Sequence, residues 1–167
     1  MLDFGHDPAR WRVPALLAAA GSAALLLGAL GFQYLGGLAP CPLCIWQRWP
    51  HGIAVALGLV VLLAGRRLPP ALGRAVAAAG ALAMLAGAGI ALYHTGIERH
   101  WWAGPASCTS APVGGLDPDR LLERIMAAPL VRCDEVAWSF LGLSMASWNG
   151  LASLALAGLW LLALRRA

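Results

Sequence analysis

The sequence predicts an all-α membrane protein: an antiparallel bundle of four transmembrane helices, with a short amphipathic helix in the second of two outer loops. Three observations carry that expectation. Of 167 residues, 60% are hydrophobic and only 12% charged, far from the balance of a soluble domain. Four apolar runs are long enough to cross a hydrocarbon core of about 30 Å, which takes roughly 20 helical residues. The charges between those runs differ sharply from one side to the other.

The runs lie near Val13 to Gln33, Cys44 to Ala64, Ala75 to His94 and Gly142 to Leu164, and residues 1–167 read as one domain. Each is apolar on nearly every side, and backbone in lipid must satisfy its own hydrogen bonds, so each is a helix. All 12 basic residues are arginine, so the formal charge of +4 speaks to topology rather than to nucleic acid. Arg10, Arg12, Arg66, Arg67, Arg74, Arg165 and Arg166 share one side with Asp3 and Asp7. Arg48, Arg99, Arg120, Arg124 and Arg132 share the other with Glu98, Asp117, Asp119, Glu123, Asp134 and Glu135. The positive-inside rule puts both termini in the cytoplasm and the loops 34–43 and 95–141 outside. A cleaved signal is the rival for the first run, since "LAPC" looks like a lipoprotein cleavage site. The run outlasts an h-region of about 7 to 15 residues, and Pro40 stands where a small non-proline residue is needed.

The second outer loop changes composition. "GPASCTSAPVGG" is rich in Gly, Pro and Ser, which predicts a mobile segment around Cys108. In "LDPDRLLERIMAAPLVRC", Asp117 can cap a helix, Pro118 suits its first turn, and Leu121, Leu122, Ile125 and Met126 share one face. A short helix on the membrane surface, or packed on the bundle, would then lead to Cys133.

The four cysteines, Cys41, Cys44, Cys108 and Cys133, all fall outside, where disulfides persist. Structural bridges, a metal site and redox chemistry are each open. A Cys41–Cys44 bridge closes too small a loop to stabilise much through chain entropy, whereas C-x-x-C is the spacing of readily exchanged pairs. Zinc would favour a second tight pair, and 24 residues separate Cys108 from Cys133. No metal site is therefore assigned. Pro42 disfavours helical angles at Cys41 and suits the first helical position, so Cys41 becomes a cap and Cys44 the third residue of the second helix. Unpaired N–H groups and the positive dipole end at Cys44 favour a thiolate there. Arg48 follows one turn deeper on the same face and His51 after it. An arginine just inside a membrane helix either snorkels or serves a ligand in the bilayer.

"CPLCIWQR", "YHTGIERHWW" and "CDEVAWSFLGLSMASWN" together resemble the DsbB family of membrane disulfide-forming oxidoreductases over essentially the whole chain. The resemblance implies a quinone-linked relay at the bacterial inner membrane, with both cysteine loops periplasmic. Cys108 and Cys133 match the pair that meets a DsbA-like thiol oxidase, with Cys108 forming the mixed disulfide. Cys133 would exchange with Cys41, freeing Cys44 as a thiolate against ubiquinone or menaquinone. Arg48 and His94 match the family's quinone-side arginine and histidine. Trp46 and Gln47 depart from members that carry tyrosine and glutamate there.

Other residues have plainer readings. Trp101, Trp102, Trp138 and Trp148 fall at the outer boundary, where tryptophan anchors helices. Glu98 is expected to pair at the bundle rim, and His6 and His100 to be surface residues. Asp134 and Glu135 would raise the Cys133 thiol by like charge, weakly once screened. A vitamin K epoxide reductase type is disfavoured, because its quinone-side C-x-x-C lies late in the chain. A scaffold with inert disulfides differs in that added quinone would not change its thiols.

Overall fold

The structure, a computed structural model, describes residues 10–105, 108, 126 and 131–167. Among the described residues, five helices make the bundle: α1 (Arg12–Tyr34), α2 (Pro42–Trp46), α3 (Arg48–Ala64), α4 (Pro70–Glu98) and α5 (Met145–Arg166). α2 and α3 together form the second span, so four spans are long and apolar enough to cross a membrane. α1 packs on α3 and α5, and α4 packs on the same two, which leaves α1 and α4 diagonal in an antiparallel four-span ring.

Three spans differ from the sequence reading. The second span is broken at Gln47. Pro50 has no N–H for the Trp46 carbonyl and its ring crowds that carbonyl, so the first turn ends there. α4 is 29 residues long, beginning at Pro70 and running on through Thr95 to Glu98; polar residues that end an apolar run do not end a helix whose other face is buried. α5 begins at Met145 rather than Gly142 because a small hairpin comes first: β1 (Ser139–Phe140) pairs antiparallel with β2 (Leu143–Ser144). Its two-residue turn holds Leu141 and Gly142 at φ 51° and 75°, the two positive values that a type I′ turn demands. Ser144 then caps α5, its Oγ accepting the Ser147 N–H at 3.2 Å. The amphipathic helix expected beyond Asp117 lies outside the described residues apart from Met126.

Lipid offers no hydrophobic drive between helices, so close approach of small residues must hold the spans together. α4 buries Gly73, Val76, Ala77, Gly80, Ala81, Met84, Gly87 and Ala91 along one stripe. α1 answers with Ala15, Ala18, Ala19 and Ser22, and α3 with Ala54, Gly58 and Val61. The large leucines point away: Leu27, Leu63, Leu82 and Leu154 are more than half exposed and form the lipid face. At the end opposite the cysteines, the Arg12 guanidinium lies 3.4 Å from the Val61 and Leu62 carbonyls, where the last turn of α3 needs donors. The bulkiest buried side chain, Trp160, lies flat against Gly80, where an added Cβ would run into the indole.

Gly80→Val should therefore lower stability by about 1–3 kcal/mol through overpacking, visible as a lower melting temperature in detergent. Gly89→Val, where an added Cβ meets nothing within 4 Å, should melt like the parent. Equal melting of both variants would rule out the Gly80–Trp160 contact.

Candidate redox site

Both cysteine pairs meet at one end of the bundle. Cys41 caps α2 in an extended conformation, with Pro42 at the first helical position. Its Sγ accepts the Cys44 N–H at 3.1 Å. The free N–H of the helix start is thus spent on Cys41, where the spacing had suggested Cys44. Cys41 is buried and Cys44 half-buried, and both are free thiols. The hydrogen bond to Cys44, then burial, then the Cys44 charge push the Cys41 thiol well above its usual range. Cys41 thus holds its proton toward the Cys44 sulfur.

Cys108 and Cys133 form a disulfide, with their Cα atoms 5.2 Å apart. The Cys133 N–H donates to the Cys108 carbonyl at 2.7 Å, tying the two strands of the loop beside the bridge. This disulfide shares a buried cluster with Cys41, Leu43 and Ile97. His94, on α4, joins the two pairs: its Nε2 lies 3.7 Å from Cys41 Sγ, and its ring interacts with the Cys133 backbone. Glu98, one turn on and buried, brings Oε1 to 3.9 Å from the same Nε2. The loop acids do not act on Cys133 as bare charges. Arg132 holds Asp134 through two bonds of 2.9 and 2.6 Å and reaches Glu135 at 3.2 Å, and this pairing keeps the Asp134 carboxyl below its usual range.

Below the dithiol lies a cavity of about 530 Å³. Ala24, Gly28 and Phe32 of α1 form one wall and Met145, Trp148 and Ala152 of α5 the other, with Cys44 and Arg48 at its polar end. Arg48 opens α3 and donates from Nη1 to Gln33 Oε1 of α1 at 2.8 Å, and its charge acts on Cys44. Trp138 and Phe140 stack at 6.1 Å between Phe32 and Trp148, an aromatic rim over this cavity. Trp138 and Trp148 are therefore walls of the cavity. Trp102 instead lies over Gly96 and donates to the Tyr93 carbonyl at 3.0 Å.

Gln47, Asn149 and Glu98 also line the cavity, a position that neither the family departure at Gln47 nor the rim pairing expected of Glu98 had indicated. A signal was available. Cys44, Gln47, Arg48 and His51 are spaced i, i+3, i+4, i+7, one polar face on an otherwise apolar helix. Among the described residues, Cys41, Cys44 and His94 are the group whose ligand atoms come together, all within 4.8 Å. Two sulfurs and an imidazole would suit a soft divalent ion by type. The same group contains both sulfurs of the C-x-x-C pair.

Four apolar spans carrying a vicinal dithiol and a loop disulfide in one buried cluster define a membrane thiol–disulfide oxidoreductase. The family described as "Disulfide bond formation protein DsbB" matches residues 11–163. Proteins called disulfide bond formation protein B are similar over most of their length. The one from Stutzerimonas stutzeri is 36% identical over 161 residues, covering 90% of this chain and 93% of its own. That of Methylococcus capsulatus is 41% identical over 135 residues, covering 75% and 77%, and that of an Azoarcus species is 34% identical over 169, covering 94% and 96%. The chain belongs to the DsbB family and is a multi-pass membrane protein of disulfide bond formation.

With its proton retained at neutral pH, Cys41 is a poor nucleophile. In reduced protein at pH 8, iodoacetamide should modify Cys44 roughly tenfold or more faster than Cys41, read by peptide mass mapping. Faster modification of Cys41 would contradict the proton placement.

Proposed function

We propose that the chain reoxidises a periplasmic DsbA-like thiol oxidase and passes the electrons to a membrane quinone. The observation that carries this reading is the contact of one dithiol with two neighbours, the loop disulfide on one side and the apolar cavity on the other. Bacterial inner membrane, cytoplasmic termini and periplasmic cysteine loops complete it. The arginine distribution and the Arg12 cap at the end opposite the cysteines support that orientation.

A thiolate of the reduced partner attacks Cys108, the Cys108–Cys133 bond breaks, and Cys133 takes the electron pair. The partner's second thiolate resolves the mixed disulfide and leaves oxidised, with Cys108 and Cys133 reduced. Cys133 then attacks Cys41 of a Cys41–Cys44 disulfide, and Cys44 departs as a thiolate. Cys108 attacks Cys133, restoring the loop disulfide and releasing Cys41. The pairing found here, with the loop bridge closed and Cys41 and Cys44 free, matches the end of that sequence.

The cavity suits a quinone headgroup in size and in having apolar walls with one cationic end. Bound there, ubiquinone or menaquinone supplies an acceptor for two electrons and two protons. Arg48 would hold a ring oxygen and offset the Cys44 charge, while Phe32, Trp138 and Trp148 exclude water. With such an acceptor bound, Cys44 would give up the electron pair, Cys41 would close the disulfide on Cys44 and lose its proton, and the second proton would come from solvent.

Stopped-flow mixing of purified chain, a reduced DsbA-like protein and ubiquinone or menaquinone should give partner disulfide and quinol in equal amounts. Partner oxidation at the same rate without quinone would refute the assignment. Arg48→Lys keeps a charge but loses the planar fork, and should raise the KM for quinone by roughly tenfold, the worth of one charge-assisted hydrogen bond, with melting unchanged. An unaltered KM would return Arg48 to snorkelling.

A further inference from the structure

From Cys41 a chain of buried polar side chains runs into the bundle. His94 Nε2 lies 3.7 Å from Cys41 Sγ, and His94 Nδ1 lies 2.7 Å from Gln47 Nε2. Gln47 Oε1 accepts from Asn149 Nδ2 at 2.7 Å, and Asn149 Oδ1 lies 2.9 Å from His51 Nε2. Gln47, His51 and His94 are each nine-tenths or more buried. The chain ends at His51 Nδ1, which is buried and has no hydrogen-bond partner among the described residues. Three spans contribute to it: Gln47 and His51 from the second, His94 from α4, and Asn149 from α5.

Two amides between two imidazoles can be bonded head to tail in only two senses. In one, His51 Nε2–H donates to Asn149, Asn149 to Gln47, Gln47 to His94 Nδ1, and His94 Nε2–H to Cys41 Sγ. In the other every bond reverses, His94 carries its proton on Nδ1, and the terminal His51 Nδ1 becomes an N–H. Both senses make the same internal bonds and differ at the two ends: at His94 Nε2, which faces Cys41 Sγ at 3.7 Å and Glu98 Oε1 at 3.9 Å with the Cys133 backbone beside the ring, and at the buried His51 Nδ1. An unpaired acceptor there is tolerated far better than an unpaired buried N–H. The first sense wins, and it directs a proton at Cys41.

We propose that Gln47, held by Asn149 and His51, is a positioning residue that keeps His94 in the Nε2–H tautomer facing Cys41. Two donors then converge on Cys41 Sγ, the Cys44 N–H at 3.1 Å and the His94 Nε2–H at 3.7 Å. Their use falls in exchange between the cysteine pairs, so the proposal rests on the functional reading above. When Cys108 attacks Cys133 of the Cys41–Cys133 bridge, the S–S bond breaks and its electron pair moves onto Cys41. Preorganised N–H groups aimed at the sulfur stabilise that emerging thiolate, as an oxyanion hole does for oxygen. The proton that Cys41 later holds comes from solvent at the mouth of the loop, and His94 keeps its own.

The test reads the tautomer directly and then the exchange. The chain has 4 histidines, so nitrogen-15 labelling of histidine in lipid nanodiscs, with each histidine replaced in turn for assignment, identifies His94. In reduced protein its Nδ1 should resonate as an unprotonated, pyridine-like nitrogen and its Nε2 as pyrrole-like. Asn149→Leu frees the Gln47 amide and should mix the two tautomers, and Gln47→Glu should place a proton on Nδ1. In both variants the rate at which loop thiols reduce a Cys41–Cys44 disulfide should fall roughly tenfold, the loss of one hydrogen bond to a charged group. A proton on Nδ1 in the parent, or a tautomer unmoved by both substitutions, overturns the proposal even if quinone is used. The predicted tautomers together with no quinone reduction would overturn the functional reading alone. If Asn149→Leu misfolds, Asn149→Asp, which cannot donate to Gln47 when ionised, makes the same test.

Discussion

A polar side chain inside a lipid-embedded helix has no water to turn to, and the cysteine end of this bundle is organised by that constraint. Gln47, Arg48, His51, His94 and Asn149 all project into the interior or its cavity, and each is bonded to another of the set or to Gln33. Those bonds fix where three spans meet around Cys41. The short turn α2 is part of the same arrangement. Pro42 starts it, Pro50 separates it from α3, and Cys41 is left as its cap with the sulfur at the helix N-terminus.

Elsewhere the bundle relies on small residues rather than on polar bonds. The glycine and alanine stripe of α4 lets α3 and α5 approach closely, and Trp160 fills the space against Gly80. A tightly packed lower half and a cavity-bearing upper half follow from this difference in side-chain size. The cavity opens where α1 and α5 carry Gly28, Ala29 and Ala152 beside Cys44 and Arg48, so the dithiol faces an apolar space that a lipid-soluble molecule could occupy.

Much of this was legible in the sequence. Four spans follow from four apolar runs, and Cys41 as a cap follows from the flanking prolines, because both effects are local. The break at Gln47 was less visible, since Pro50 lies inside an apolar run and acts on a carbonyl four residues back. The hairpin before α5 was hidden because Leu141 gives no hint of positive φ, which only the pairing of Ser139 with Ser144 requires. Glu98, expected to pair with Arg99 or a neighbour at the rim, faces His94 at 3.9 Å, a partner one turn back on its own helix. The link from Gln47 to Asn149 spans 102 positions and could not be read from spacing. The polar face shared by Cys44, Gln47, Arg48 and His51 did mark one half of it.

In the proposed relay the two cysteine pairs exchange through Cys41 and Cys133. Replacing Cys44 and Cys108 by serine removes the resolving thiol of each pair and leaves these two cysteines to find one another. Mass mapping of the non-reduced double variant measures the outcome directly. An intramolecular Cys41–Cys133 disulfide is expected on oxidation; two free thiols, or bridges formed only between chains, would rule out exchange by this route.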